Sequence, residues 1–152
     1  MIKNTLIVLV ACSISGSYVA LACTCAPPEI PSQELKESDA VFSGKVIEIK
    51  RQKSYAQEPV QSDTLFTSVE VVFEVDRTWK GIDNNAVSVF TSPHSSACGY
   101  AFKKGTSYLI YANSDERSRL ITTICTRTKA LKDAEEDVRE LGEGRQVRVA
   151  GY

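Results

Sequence analysis

Apolar and polar residues alternate through the middle of the chain, which is the pattern of half-buried β-strands. The clearest stretch is residues 66–79, where Val69, Val71, Phe73 and Val75 share one parity and polar residues take most of the other. The same reasoning predicts four shorter strands, at residues 40–50, 86–91, 107–112 and 120–125, and a short strand extension at residues 100–102.

The first predicted strand has apolar residues on both parities around Gly44. A glycine at such a position is typical of a β-bulge or a bend that carries the strand across a curved sheet. Residues 51–63 are polar and include Pro59, so we expect an exposed loop there.

Two short helices are predicted to flank the strands. The first covers residues 33–38, with Ser32 as its N-cap. The second covers residues 129–141, where apolar residues recur at helical spacing and Gly142 follows as the stop.

Five short antiparallel strands with an early helix and a C-terminal helix predict a mainly β fold. The small five-stranded OB-fold barrel is the arrangement that fits best. A β-sandwich stays open as the alternative, because strand counting alone does not separate the two architectures.

The first 22 residues have the features of a signal peptide. Lys3 supplies the positive charge, residues 6–11 are apolar, and Ala20-Leu21-Ala22 is a small-residue cleavage site. The apolar run is too short to span a membrane. We therefore expect one domain over residues 23–152, secreted from the cell, or sent to the periplasm or cell surface if the source is bacterial.

Charge is balanced, with 18 Lys and Arg against 19 Asp and Glu in the full chain. No basic stripe is present that could bind a phosphate backbone, so a nucleic acid partner is not expected. Nothing in the pattern requires self-association, and we expect a monomer.

The chain has five cysteines, of which Cys12 would leave with the signal peptide. An even number of cysteines in a short exported chain predicts disulfides. Cys23 and Cys25 lie too close in an extended chain to pair with each other without strain. Each must therefore bridge to Cys98 or Cys125, and spacing alone leaves both arrangements open. A structural zinc site is poorly matched, because it favours C-x-x-C spacings.

Enzymatic function is not expected. His94 is the one histidine of the chain, so we expect no Cys-His or Ser-His-Asp arrangement with a partnered base, and a loop histidine is usually solvated. If the four remaining cysteines are oxidised, no thiolate is left to act as a nucleophile.

Cleavage after Ala22 would make Cys23 the first residue of the mature protein. Its α-amine and carbonyl would then lie side by side and could bind one metal ion together. A disulfide from this segment to residues 95–98 would form a narrow wedge of small residues suited to a cleft. The simpler alternative is that the disulfides only attach the N-terminus to the barrel.

These features resemble the N-terminal inhibitory domain of the tissue inhibitors of metalloproteinases, a netrin-like family. The similarity covers most of the chain from Cys23 to Cys125. It is carried by the following stretches: Cys23-Thr24-Cys25-Ala26-Pro27-Pro28, Ser38-Asp39-Ala40-Val41, Lys80-Gly81, Ser95-Ser96-Ala97-Cys98-Gly99-Tyr100, Tyr108-Leu109-Ile110 and Ile121-Thr122-Thr123-Ile124-Cys125.

The resemblance implies an OB-type fold, the disulfides Cys23–Cys98 and Cys25–Cys125, and inhibition of zinc metalloproteases. Cys23 would chelate the protease's catalytic zinc, so the protein needs no cofactor of its own. Thr24 would enter the primed-side specificity pocket. The rest of the inhibitory ridge would follow along the cleft: Cys25, Ala26 and Pro27 on the primed side, and Ser95, Ser96, Ala97 and Cys98 on the unprimed side.

The sequence also departs from the family pattern. Leu35 lies near the expected position of a third cysteine, and no cysteine follows Cys125. The residues before Cys12, and less well those before Cys23, resemble a lipoprotein cleavage box, and acylation of Cys23 would block its amine. The alternative function is therefore a netrin-like extracellular binding module without inhibitory activity.

Overall fold

The computed structural model describes residues 23–54 and 66–147 of the chain. The predicted signal peptide and most of the predicted loop at residues 51–63 lie outside these ranges. Among the described residues, no helix has the length and apolar character needed to cross a membrane.

Strands dominate the described structure, and two short helices accompany them. In chain order the elements are α1 Pro31–Glu37, β1 Ala40–Ser54, β2 Phe66–Lys80, β3 Ala86–Thr91, β4 Ser107–Ser114, β5 Leu120–Ile121, β6 Lys129–Ala130, α2 Glu135–Leu141 and β7 Arg145–Gln146. Single turns of 3-10 helix lie at Ser95–Ala97 and Leu131–Asp133.

Five of the strands form a closed ring in the order β1-β2-β3-β5-β4, because β1 also pairs with β4. This ring confirms the predicted mainly β, OB-fold-like arrangement. The prediction that all strands run antiparallel was wrong for one pair, since β3 and β5 are parallel. The short strands β6 and β7 extend the sheet by pairing with β4 and β2.

The alternation predicted in β2 is confirmed by burial. Val71, Phe73 and Val75 lie inside the ring, where the Phe73 ring meets Phe42 edge-to-face with centroids 5.6 Å apart. Tyr100 and Phe102 pack against the same cluster from the loop before β4, although they form no strand. Their aromatic burial explains an apolar pattern that we had interpreted as strand.

A second apolar cluster lies on the other side of β1 and β4, beneath the helices. Val41, Leu109 and Tyr111 are fully buried there. Residues from both helices and from their surroundings pack on them: Leu35, Trp79, Leu131, Ala134, Val138 and Leu141. Val41 packs in this second cluster while Phe42 packs in the first, which explains why apolar residues at the start of β1 occupy both parities.

Gly44 marks a bulge, as predicted. The register between β1 and β2 shifts between Ser43 and Gly44. A Cβ at position 44 would lie 2.7 Å from the backbone oxygen of Glu74, so the close approach of the two strands requires glycine.

Both helix predictions need correction at their N-terminal ends. Helix α1 begins at Pro31 rather than at residue 33, and its N-cap is Ile30, which makes no side-chain capping bond. Proline is well suited to the first helical position because it has no N–H to leave unpaired. Ser32, predicted as the N-cap, is the second residue of the helix, and its N–H donates to Glu140 Oε1 over 3.1 Å.

The predicted helix at residues 129–141 is helical only from Glu135. Lys129 and Ala130 pair with β4 instead, and a 3-10 turn follows. Here the hydrogen bonds offered by the edge of β4 outweigh helical propensity. The predicted stop is confirmed, since Gly142 follows the helix with φ 73° and donates its N–H to Val138.

The strand predicted at residues 120–125 was too long, and those at 40–50 and 107–112 were too short. Strand β5 ends at Ile121, whereas β1 continues to Ser54 and β4 to Ser114. Beyond Ile121 the chain leaves the ladder and reaches the loop that contains Cys98, where the Ile124 N–H donates to the Cys98 carbonyl over 3.0 Å.

Candidate functional site

The candidate site is built on a segment that belongs to no strand or helix. Residues 23–30 run without secondary structure, and two disulfides attach them to distant parts of the chain. Cys23 is bonded to Cys98 and Cys25 to Cys125, with Cα–Cα distances of 5.3 and 5.0 Å. These are the pairs that the resemblance implies. In the chain-entropy model, loops of 75 and 100 residues each stabilise the fold by about 4–5 kcal/mol.

The two bridges lie against each other. The Sγ atoms of Cys23 and Cys125 are 3.8 Å apart, although they belong to different disulfides. The Sγ atoms of Cys23, Cys98 and Cys125 all lie within 4.8 Å of one another. A metal ion would need thiolates, which bridged cysteines do not offer, so this sulfur cluster is a structural junction.

Two exposed ridges meet at this junction. The N-terminal ridge, residues 23–28, exposes Thr24, Ala26, Pro27 and Pro28, while its two cysteines are partly buried. The second ridge, residues 95–98, exposes its first three residues and anchors the fourth. Both ridges therefore present small or rigid side chains to solvent, as a wedge that enters a cleft must.

The second ridge is shaped by local hydrogen bonds. The N–H groups of Ala97 and Gly99 both donate to the His94 carbonyl, over 3.0 and 2.9 Å. Cys98 adopts a left-handed conformation with φ 60°, which is uncommon for a residue with a side chain. A Cβ on Gly99 would lie 2.0 Å from the Ser92 carbonyl oxygen, so only glycine fits after the ridge. His94 itself is exposed and shapes the turn through its backbone.

A buried threonine cluster supports the chain that carries Cys125. Thr122 Oγ1 donates to the Tyr111 carbonyl over 2.9 Å and lies 2.8 Å from Thr128 Oγ1. The Tyr111 N–H donates to Thr128 Oγ1 over 3.0 Å. These bonds hold an irregular segment in place where the strand ladder has ended.

A buried charged cluster that the sequence did not predict lies next to the N-terminal segment. Asp137, on α2, is only 1% exposed and accepts hydrogen bonds from three side chains. Arg127 donates to it twice, over 2.7 and 2.8 Å, while Lys129 and Tyr111 donate over 2.8 and 3.1 Å. Arg127 also donates to the backbone carbonyl of Glu29 over 2.8 Å.

The cluster shifts the pKa values of its members. Burial acts to raise the pKa of the Asp137 carboxyl, but the hydrogen bonds from Arg127 and Lys129 outweigh it and leave that pKa below its usual range. Burial and then the neighbouring Asp137 charge raise the pKa of the Tyr111 hydroxyl. Burial and then repulsion from Glu37 raise the pKa of the Glu34 carboxyl, and the nearby Arg127 partly offsets this rise.

Comparison with known proteins gives one result. A family model described as "Tissue inhibitor of metalloproteinase" matches residues 21–136, which is more than half of the chain and includes both ridges, both disulfides and all five strands of the ring. No individual curated protein matches the chain significantly.

Asp137→Asn should lower the free energy of unfolding at neutral pH by about 3–5 kcal/mol, because it breaks a buried ion pair and leaves its partners unpaired. Since the folded pKa of Asp137 lies below the unfolded one, its stabilisation is present above the unfolded pKa and is lost as pH falls through the folded pKa. The difference from the wild type should therefore shrink in acid.

Denaturant unfolding at a series of pH values measures this difference. Glu136→Gln, an exposed carboxylate on the same helix, serves as the control and should change stability by about 0.5 kcal/mol or less. Equal stability of Asp137→Asn and the wild type at pH 7 would contradict the assignment.

Proposed function

The chain belongs to the tissue inhibitor of metalloproteinase family, and we propose that it inhibits zinc metalloproteases by chelating their catalytic zinc through Cys23. Members of this family are inhibitors and not enzymes, and family membership supports metalloproteinases as the partners. The structural observation that carries the finer proposal is the pair of disulfides that fixes Cys23 where the two exposed ridges meet.

Chelation would use the backbone of Cys23. Once the signal peptide is removed after Ala22, the α-amine nitrogen and carbonyl oxygen of this residue can bind one ion together. They would take the coordination position of the water that the protease uses for hydrolysis. An α-amine ordinarily has a pKa of about 7.7–8.0, so complex formation must release a proton and weaken as pH falls.

The ridges would occupy the substrate cleft on both sides of the zinc. Thr24 would enter the primed-side specificity pocket, with Cys25, Ala26 and Pro27 continuing along the primed side. The second ridge, from Ser95 through Ser96 and Ala97 to Cys98, would fill the unprimed side. The exposure of these segments supports the assignment.

Pre-ordering supports tight binding. The two disulfides and the pair Pro27-Pro28 restrict the N-terminal ridge before any target arrives, so little conformational entropy is lost on association. Resistance to cleavage follows from the same arrangement, because no scissile peptide bond need lie over the zinc. We further propose that the protein acts outside the cell as a monomer, in keeping with the generally extracellular location of its family.

A netrin-like binding module without inhibitory activity is the second candidate. It is favoured by the lipoprotein-like sequence before Cys12, since processing there would leave residues ahead of Cys23. Acylation of Cys23 would likewise remove its free amine. Intact-mass measurement of the exported protein distinguishes these states from a free N-terminal Cys23.

Covering the amine should abolish inhibition without affecting the fold. Adding one alanine before Cys23 converts the amine into an amide, whose nitrogen has no lone pair available for zinc. Inhibition constants against a panel of zinc metalloproteases, together with thermal unfolding and disulfide mapping, measure both effects. Undiminished inhibition by the extended protein would refute chelation, and a panel without inhibition by the unmodified protein would favour the binding module.

Thr24→Ala should change the ranking of inhibited proteases more than it changes overall potency. The specificity pocket differs among proteases whereas the zinc does not, so losses of about 1–3 kcal/mol should vary from target to target. Alanine removes the hydroxyl and methyl groups without loosening the backbone as glycine would. Inhibition constants for several proteases test this, and an equal loss for all of them would show that Thr24 lies outside the pocket.

A further inference from the structure

We propose that Arg127 is a positioning residue for the N-terminal ridge, because its guanidinium joins the Glu29 carbonyl to the buried carboxylate of Asp137. The inference concerns the direction in which the ridge leaves the protein surface. Its consequence for inhibition rests on the proposed function, whereas its structural part does not.

All three nitrogens of the Arg127 guanidinium are used. Nε and one terminal nitrogen donate to the two oxygens of Asp137 over 2.8 and 2.7 Å. The other terminal nitrogen donates to the Glu29 carbonyl over 2.8 Å. A planar group held by two parallel bonds has a fixed orientation, so the remaining nitrogen has a fixed direction as well.

This bond adds a third anchor to the N-terminal segment, after the two disulfides at Cys23 and Cys25. The disulfide attaches Cys25 to Cys125, and the hydrogen bond attaches Glu29 to Arg127. Both disulfides lie at one end of the segment and alone would leave residues 26–29 free to move, whereas the bond at Glu29 holds the other end. Pro27 and Pro28 lie between the anchors and keep φ fixed, so this part of the chain cannot easily buckle.

Burial keeps the arginine in place. Its side chain is 14% exposed and that of Asp137 is 1% exposed, so water has little access to their contact. Lys129 and Tyr111 donate to the same carboxylate and keep it oriented. Glu34, on α1, adds further negative charge close to the guanidinium. The surroundings therefore fix the conformation of Arg127 before a target binds.

Two variants separate positioning from simple loss of the ion pair. Arg127→Gln and Lys129→Gln each remove one cation from Asp137, but only the first removes the bond to Glu29. The readout is ¹⁵N relaxation of the Ala26 and Glu29 amides in the free, disulfide-bonded protein, because residues 26–29 lie beyond the two disulfides. We expect their order parameters to fall from about 0.85 toward about 0.6 in Arg127→Gln and to stay unchanged in Lys129→Gln.

Inhibition provides the second readout. Arg127→Gln should inhibit a zinc metalloprotease at least about tenfold more weakly than Lys129→Gln does, because the ridge must be ordered during binding. If Arg127→Gln does not fold, Arg127→Lys replaces it, since one ammonium group cannot reproduce the fork that reaches both Asp137 and Glu29.

The two measurements test different claims. Order parameters that are the same in the Arg127 and Lys129 variants would overturn the positioning role, whatever the inhibition constants are. Order parameters that differ as expected, in a protein that inhibits no protease, would support the positioning role and count against the proposed function.

Discussion

The site depends on two disulfides that pack against each other. Residues 23–30 pair with no strand and form no helix, so without the bridges little would hold them to the ring of strands. The bridges bring Cys23 and Cys25 to two separate places on the chain, and the 3.8 Å contact between Cys23 Sγ and Cys125 Sγ joins those places. One sulfur junction thus sets the position of both ridges, and the entropy of ordering the N-terminus is already lost on folding.

Most of the strands could be predicted from the sequence because each buries at least one face. The alternation of β2 reflects burial of one face in the core, and the glycine at position 44 reflects the close approach of β2. Both features leave a pattern in the local sequence. Local patterns do not predict the conformation of Lys129 and Ala130. Their helical spacing is real, but the free edge of β4 gives them sheet hydrogen bonds that no local pattern reveals.

The residues of the candidate site could be predicted from the sequence, but the interactions that hold them in place could be predicted only in part. The cysteine spacing required long-range bridges, whereas the choice between two pairings came from the family resemblance. Arg127 and Asp137 carry no signal in the sequence, because charged residues usually lie on the surface and burial of this pair follows from how α2 packs on β4. Near Leu35, where a third bridge is missing, apolar contacts with α2 and bonds from Lys80 to the end of α1 hold the helix instead.

The proposed function requires that a nitrogen and an oxygen of the inhibitor bind the protease's metal ion. The most direct measurement uses a zinc metalloprotease in which cobalt(II) replaces the catalytic zinc, because the visible absorption of cobalt(II) depends on its ligands and their geometry. Addition of the mature protein should change this spectrum in proportion to inhibition, as the bound water is replaced by the amine and carbonyl of Cys23. Full inhibition with an unchanged cobalt spectrum would show that Cys23 does not chelate the metal ion.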